Sequence, residues 1–161
     1  MSPTDLLALA RLIRSQRSAA LGTLHDGAPY VSHALYLPAD DFGAFYFHLS
    51  RLAIHTKNLL ADPRAGLMIA EPDTGASDPQ LLLRLSLQGQ AAPLAPDAPD
   101  HADLRARYLA RFPEAAMMLQ LSDFALFRFT PRDGRFVAGF GKAFNITLAN
   151  LKAAAVANSL D

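Results

Sequence analysis

From residue 81 to 91 the chain alternates, with Leu81, Leu83, Leu85 and Leu87 on one set of positions and Leu82, Arg84, Ser86 and Gln88 on the other. A period of two belongs to an extended strand, so the first set faces a core and the second faces the opposite side of a sheet. Arg84 and Gln88 lie four residues apart on that second face. They either meet a ligand there or simply face water.

Such a strand needs hydrogen-bonding partners along its edges, and the sequence offers them as hairpins. Residues 18–24 and 29–37 are joined through His25-Asp26-Gly27, and residues 124–130 and 135–139 across Pro131-Arg132-Asp133-Gly134. Residues 44–49 and a strand from Arg64 to Ala70 add two more. Gly139-Phe140-Gly141-Lys142 then brings two glycines together, which suits close approach to a ligand or another chain.

Helices are confined to the margins and to the gap after the third strand. Ser2-Pro3-Thr4-Asp5 starts a helix over 3–16: Ser caps, Pro opens, and an acid follows three residues after the cap. Leu6, Leu9, Leu12 and Ile13 give it an apolar stripe. Residues 100–111 and 114–121 read as helical, broken by Pro113, and Thr147 caps a closing helix to about residue 158. Residues 71–79 and 93–99 are loop and linker. The class is mainly β (α+β), a small antiparallel barrel with peripheral helices, and 161 residues suit one domain over 1–161.

Net charge is zero and the chain holds no cysteine. The first argues against a nucleic-acid groove or a polybasic membrane patch; the second removes disulfides, thiolate metal sites and a cysteine nucleophile, and fits a reducing cytoplasm. No apolar run is long enough for a membrane span, and no signal peptide is evident, so a cytoplasmic location is expected. The five histidines lack zinc-type spacing, so no metal site is expected, and no nucleophile elbow or P-loop occurs. An apolar content of 51% with no net charge favours a permanent partner.

One helix is built against its own dipole. After the strand at 44–49 comes a polar junction at Ser50, then a helix from Arg51 to about Asp62, stopped by Pro63. Acids in a helix's first turn and bases in its last each contribute about 0.3–1 kcal/mol. Here Arg51 comes first, Lys57 follows within two turns, and the acid, Asp62, is at the end. The opening helix does the reverse, with Asp5 early and Arg11, Arg14 and Arg17 late. The contrast implies an anion at the N-terminus of the second helix, held by backbone N–H groups, the Ser50 hydroxyl, Arg51 and Lys57, as proteins hold phosphate. The alternative is a surface helix with an unfavourable charge order.

The run Ser50-Arg51-Leu52-Ala53-x-His55-Thr56-x-Asn58-Leu59, followed by Ala61-Asp62-Pro63-Arg64, resembles the FMN-binding split-barrel proteins related to pyridoxamine 5′-phosphate oxidase, most closely their heme-utilisation, HugZ-like branch. Ala28-Pro29-Tyr30-Val31-Ser32, Leu85-x-Leu87-x-Gly89-x-Ala91, Asp123-Phe124-Ala125-Leu126-Phe127-Arg128 and Gly139-Phe140-Gly141-Lys142-Ala143 extend the resemblance over residues 17 to 146. It implies a split barrel and a homodimer with FMN at the subunit interface. The flavin phosphate falls to Ser50, Arg51, Thr56 and Lys57, with His55 nearby, and the ring to Ser32, His33 and Ala34. Arg84 stands where the family's oxidases carry a polar flavin contact, Gln88 shares its face, and Phe140 and Lys142 reach in from the second subunit. The activity implied is that of a flavin-dependent oxidoreductase acting on a small molecule, with no catalytic acid or base assigned. The HugZ-like branch implies instead a heme-binding or heme-degrading protein with a histidine on the iron. A third reading is a flavin-binding module without turnover.

Overall fold

A computed structural model describes residues 1–157. Helix α1 (Pro3–Ser15) opens with the capping box read from the sequence: Ser2 Oγ accepts from the Asp5 N–H, and the Asp5 carboxylate accepts from the Ser2 N–H. Its Leu9, Leu12 and Ile13 are fully buried. Strands β1 (Ser18–His25) and β2 (Ala28–Leu35) form a hairpin whose two turn residues, Asp26 and Gly27, both have positive φ, at 50° and 79°. That is the turn whose twist matches paired strands.

The chain continues through β3 (Leu37–Pro38), β4 (Phe45–Ser50), helix α2 (Ile54–Ala61), β5 (Arg64–Ala70), β6 (Arg84–Pro93) and helix α3 (His101–Arg111). Strands β7 (Phe124–Val137) and β8 (Ala143–Thr147) and helix α4 (Leu148–Ala155) complete it. The strands form one antiparallel sheet in the order β2-β1-β5-β6-β7-β4-β3, with β8 beside β7. Because β2 and β3 lie almost end to end, residues 28–38 pair with β1 at one edge of the sheet and with β4 at the other. The sheet is thereby curled into a split barrel.

The interior is filled by Phe45, Phe47, Phe127, Phe129 and Phe136, with Leu21, Ile69, Leu85 and Leu87 from facing strands. Strand β4 is buried on both sides, since its Tyr46 joins a second cluster with Leu104, Tyr108 and Phe112 beneath α3. Arg111 ties the layers together: its guanidinium donates to the carbonyls of Arg14, Gln16 and Tyr36, satisfying the C-terminal end of α1.

Four expectations are corrected. Pro131 to Gly134 is not a hairpin turn but a bulge inside the 14-residue strand β7, where the β6 register shifts between Gln88 and Gly89. Proline lacks the donor that a regular ladder needs and is tolerated at such a bulge, while Gly134 is required by crowding, since a Cβ there would lie 2.3 Å from the Ser86 carbonyl oxygen. The true hairpin turn is the next glycine pair, Gly139 and Gly141, leading into β8. Residues 114–121 form two short 3₁₀ turns, Pro113–Ala115 and Met118–Gln120, not a helix. Leu81 sits in a 3₁₀ turn and is 45% exposed, so the alternation becomes strand only from Arg84. Helix α2 begins at Ile54, three residues later than Arg51, because residues 51–53 are a turn. The helix expected over 147–158 is seen over Leu148–Ala155, capped by Thr147 as read, and Asn158 lies outside the described residues.

Gly134→Ala is expected to destabilise the fold by about 1–3 kcal/mol through overpacking against β6. Urea unfolding measures it; an unchanged midpoint would mean that the segment has the room of a free turn.

Candidate functional site

The pairing of β3 with β4 runs through Leu37 opposite Tyr46 and Pro38 opposite Phe45. Continued in the same register, Leu35 would meet His48 and His33 would meet Ser50. It is not continued, because β2 is committed to β1 over residues 28–35 and diverges from β4. The strands part, and a cleft of about 240 Å³ opens between them, lined by His33, Ala34 and Leu35 on one side and His48, Leu49 and Ser50 on the other. Ala53 and His55 from the α2 junction, Tyr108, and Met118 and Phe124 from the α3–β7 connection complete its walls.

Three imidazoles therefore border one cleft. The His48 ring stacks on Phe124 at 5.0 Å between centroids and packs against Tyr108 at 5.8 Å. Burial lowers its pKa, Arg105 adds to the effect, and Asp123 opposes it; burial alone lowers that of His55. Both are held neutral near pH 7, each with a ring nitrogen lone pair to offer. Burial also pushes the Tyr108 hydroxyl up to about 12, so it stays protonated. Next in sequence to the lining residues Ala53, His55 and Met118 stand exposed apolar side chains: Leu52 is 74% exposed and Met117 78%, with Ile54 also exposed. Among the described residues no group of three His, Cys, Asp or Glu is placed to hold a metal ion.

The residues singled out in the sequence separate into several places within the chain. His33, Ala34, Ser50 and His55 line the cleft. Ser32 faces β1, opposite Leu21. Arg51 is exposed and borders a different depression, beside Pro93 and His101. Lys57 is exposed on α2, and the Thr56 hydroxyl is buried without a hydrogen-bond partner. Arg84, Phe140 and Lys142 share a separate hollow at the β7–β8 turn, where Phe140 is 81% exposed and the Lys142 ammonium lies 3.3 Å from Asp5. Gln88 accepts from Arg132 on the outer sheet face.

Sequence reasoning missed His48, Tyr108, Phe124 and Asp123. For His48 a signal existed: Phe45, Phe47 and Leu49 alternate with it, so it had to leave the barrel core. Asp123 had none, since it reaches Ser50 only through the β4–β7 pairing, 73 residues away in sequence. Its Oδ2 accepts from Ser50 Oγ at 2.9 Å, and its main-chain oxygen accepts from the Arg51 N–H at 2.6 Å. Ser50 Oγ in turn accepts from the Leu52 N–H. A carboxylate of the same chain, that of Asp123, therefore lies on Ser50 at this junction.

An antiparallel sheet parted along one seam, with a cleft in the seam, defines the class of split-barrel proteins. The chain belongs to the pyridoxamine 5′-phosphate oxidase family, whose model matches residues 7–138. It is 32% identical over 122 residues to heme oxygenase HutZ of Vibrio cholerae, covering 75% of this chain and 68% of that one. A crystal structure of HutZ, described as a heme storage protein, matches it with a TM-score of 0.70 at 27% identity, over 78% of this chain and 88% of that chain. The non-canonical heme oxygenase HOZ of Arabidopsis thaliana is 37% identical over 108 residues, 65% of this chain and 30% of its own length. A heme-binding protein from Mycobacterium smegmatis matches with a TM-score of 0.82 and 28% identity, over 95% of this chain and 62% of that one. The chain spans less than two thirds of the last two proteins. No helix among the described residues is long and apolar enough to cross a membrane.

The family implies FMN, and the cleft fits it poorly at the phosphate. The Ser50 hydroxyl and the Arg51 and Leu52 N–H groups already have acceptors within the chain, and one of those acceptors is a carboxylate.

The two depressed histidines set a pH dependence. Between their folded values and the ordinary 6.5 the unfolded chain binds more protons, so stability is complete above that window and is lost as pH falls through it. Urea unfolding is expected to give a lower stability at about pH 5 than at about pH 7.5, and His48→Gln a flatter profile. Equal slopes for both proteins would show that His48 is not desolvated.

Proposed function

We propose that this protein binds heme in the cleft between β2 and β4, with an imidazole from the pair His48 and His55 on the iron. The observation that carries the reading is that two neutral imidazoles, from a strand and from a helix, border one apolar cleft in a chain whose relatives are heme proteins. The exposed Leu52, Ile54 and Met117 offer apolar surface to a porphyrin edge, and the exposed Arg51 and Lys57, from the turn and helix that carry His55, are the cations proposed for its carboxylates. Bound heme supplies a redox-active iron, and heme oxygenation in the manner of HutZ is the activity proposed. The chain's own part is to exclude water, orient the ring between its walls and keep the ligating nitrogen unprotonated.

A cleft of about 240 Å³ lies below the roughly 300–1,000 Å³ usual for an organic ligand, so a second surface has to complete it. A second copy of the chain is proposed for that role. The outer sheet face supports it: Val31 and Met68 are 66% and 44% exposed there, beside a hollow of about 330 Å³ where Gly22 lies opposite Gly66. The flavin reading, an FMN-dependent oxidoreductase of a small molecule, rests on the family and on Lys57 and Arg51, with the Asp123 carboxylate counting against it.

Adding hemin to the purified protein is expected to give a Soret band in the visible spectrum. Single replacement of His33, His48 and His55 by alanine is expected to weaken hemin binding by about tenfold or more for one of the last two. Wild-type protein without a Soret shift, or three variants that all bind as well as wild type, would refute the assignment. Sedimentation is expected to give a dimer, and a monomer carrying tightly bound hemin would refute the shared cleft.

A further inference from the structure

We infer that Asp123 is a specificity residue that closes this cleft to ligands bringing a phosphate to the β4–α2 junction, among them FMN. The inference rests on the proposed cleft and deepens it, by saying which ligand class the site rejects. The junction has the parts of an anion site: a serine hydroxyl, successive main-chain N–H groups, an arginine and a helix start. Each of the first donors is nevertheless spent. Ser50 Oγ donates to Asp123 Oδ2 at 2.9 Å, the Arg51 N–H donates to the Asp123 main-chain oxygen at 2.6 Å, the Leu52 N–H to Ser50 Oγ at 3.1 Å, and the Ala53 N–H to the Ser50 carbonyl at 3.2 Å.

An incoming phosphate would have to break the Ser50 hydrogen bond and then sit beside the carboxylate it displaced. Two like charges a few ångströms apart in a partly desolvated corner repel strongly. Asp123 cannot easily swing away either. It is anchored at both its side chain and its main chain, and the next residue, Phe124, is paired with Ser50 in the sheet and stacked on His48. Helix α2 brings no acid of its own to this junction in its first turn. Its Ala53 cap makes no side-chain hydrogen bond, and the Asp123 carboxylate from strand β7 lies on Ser50, three residues ahead of that cap. The charge that stabilises the junction is the charge that excludes a competing anion.

The test compares FMN with riboflavin, which share a ring and differ in the phosphate. Affinities are read by flavin fluorescence quenching on the wild type and on Asp123→Asn, which keeps an acceptor for Ser50 while removing the charge; hemin is titrated on the same samples. The wild type is expected to take FMN no better than riboflavin. Asp123→Asn is expected to improve FMN binding at least about tenfold, with riboflavin and hemin changed less than about threefold. A wild type preferring FMN over riboflavin by about tenfold overturns the inference even if the variant does not fold. So does an Asp123→Asn protein that gains no FMN affinity. Absence of a Soret band would refute the heme reading and leave the flavin comparison legible.

Discussion

The molecule depends on a ladder that stops. Two residue pairs hold β3 to β4, and past them β2 keeps its bonds to β1 and releases β4. A strand cannot satisfy two diverging neighbours over the same residues, so a sheet that closes through one long segment opens a seam where that segment changes partners. Tyr36 is the pivot: it is fully buried, its N–H donates to Arg17, its hydroxyl to Ile13, and its carbonyl accepts from Arg111. Such a residue cannot shift without leaving buried polar groups unpaired, at about 1–3 kcal/mol each. The seam is therefore a fixed feature, and the residues beside it line a cleft whatever their identity. In this chain those residues include His33, His48 and Ser50.

Position in the seam also explains the electrostatics. His48 alternates with Phe47 and Leu49, which enter the barrel core, so it leaves that core and enters the space under α3. There Phe124 and Tyr108 cover its ring and withdraw water from it. His55 arrives from the first turn of α2. Both imidazoles lose their charged form to the same cause, burial, although different elements deliver them.

What could be read in the sequence was local, and what could not was the pairing of distant segments. The α1 capping box, the Asp26-Gly27 turn and the Thr147 cap each involve residues within a few positions of one another, and all three stand as read. Pro131-Arg132-Asp133-Gly134 has the composition of a turn, yet β6 on one side and β8 on the other hold it as a bulge; only the crowding of Gly134 against Ser86 distinguishes the two, and crowding is not written in a single strand. The helix boundary failed for a similar reason. The sequence places Arg51 first in the helix, directly after the polar junction at Ser50, but its N–H is taken by the Asp123 main-chain oxygen and residues 51–53 form a turn. The polar junction at Ser50 was legible, and its Asp123 partner was not.

Helix α2 shows how these levels meet. It has little apolar stripe of its own, and what it buries is largely polar: Thr56, Asn58 and Leu59. Asn58 Nδ2 donates to Thr23 Oγ1 at 3.0 Å, and Asn58 Oδ1 lies 2.8 Å from His25 Nδ1, so one amide spans the helix and the β1–β2 hairpin. A helix docked by hydrogen bonds has less freedom to slide or rotate than one docked by leucines, because each bond tolerates only a few tenths of an ångström. His55 shares the helix with Asn58 and is held to the same precision. The Thr56 side chain is buried between them on the same helix. A helix optimised for its own stability would carry an acid in its first turn and an apolar inner face. This one carries neither; Asn58 ties it to Thr23 and His25 of β1, and Asp123 of β7 holds the turn that leads into it, so the cleft's geometry is set by the sheet that splits to form it.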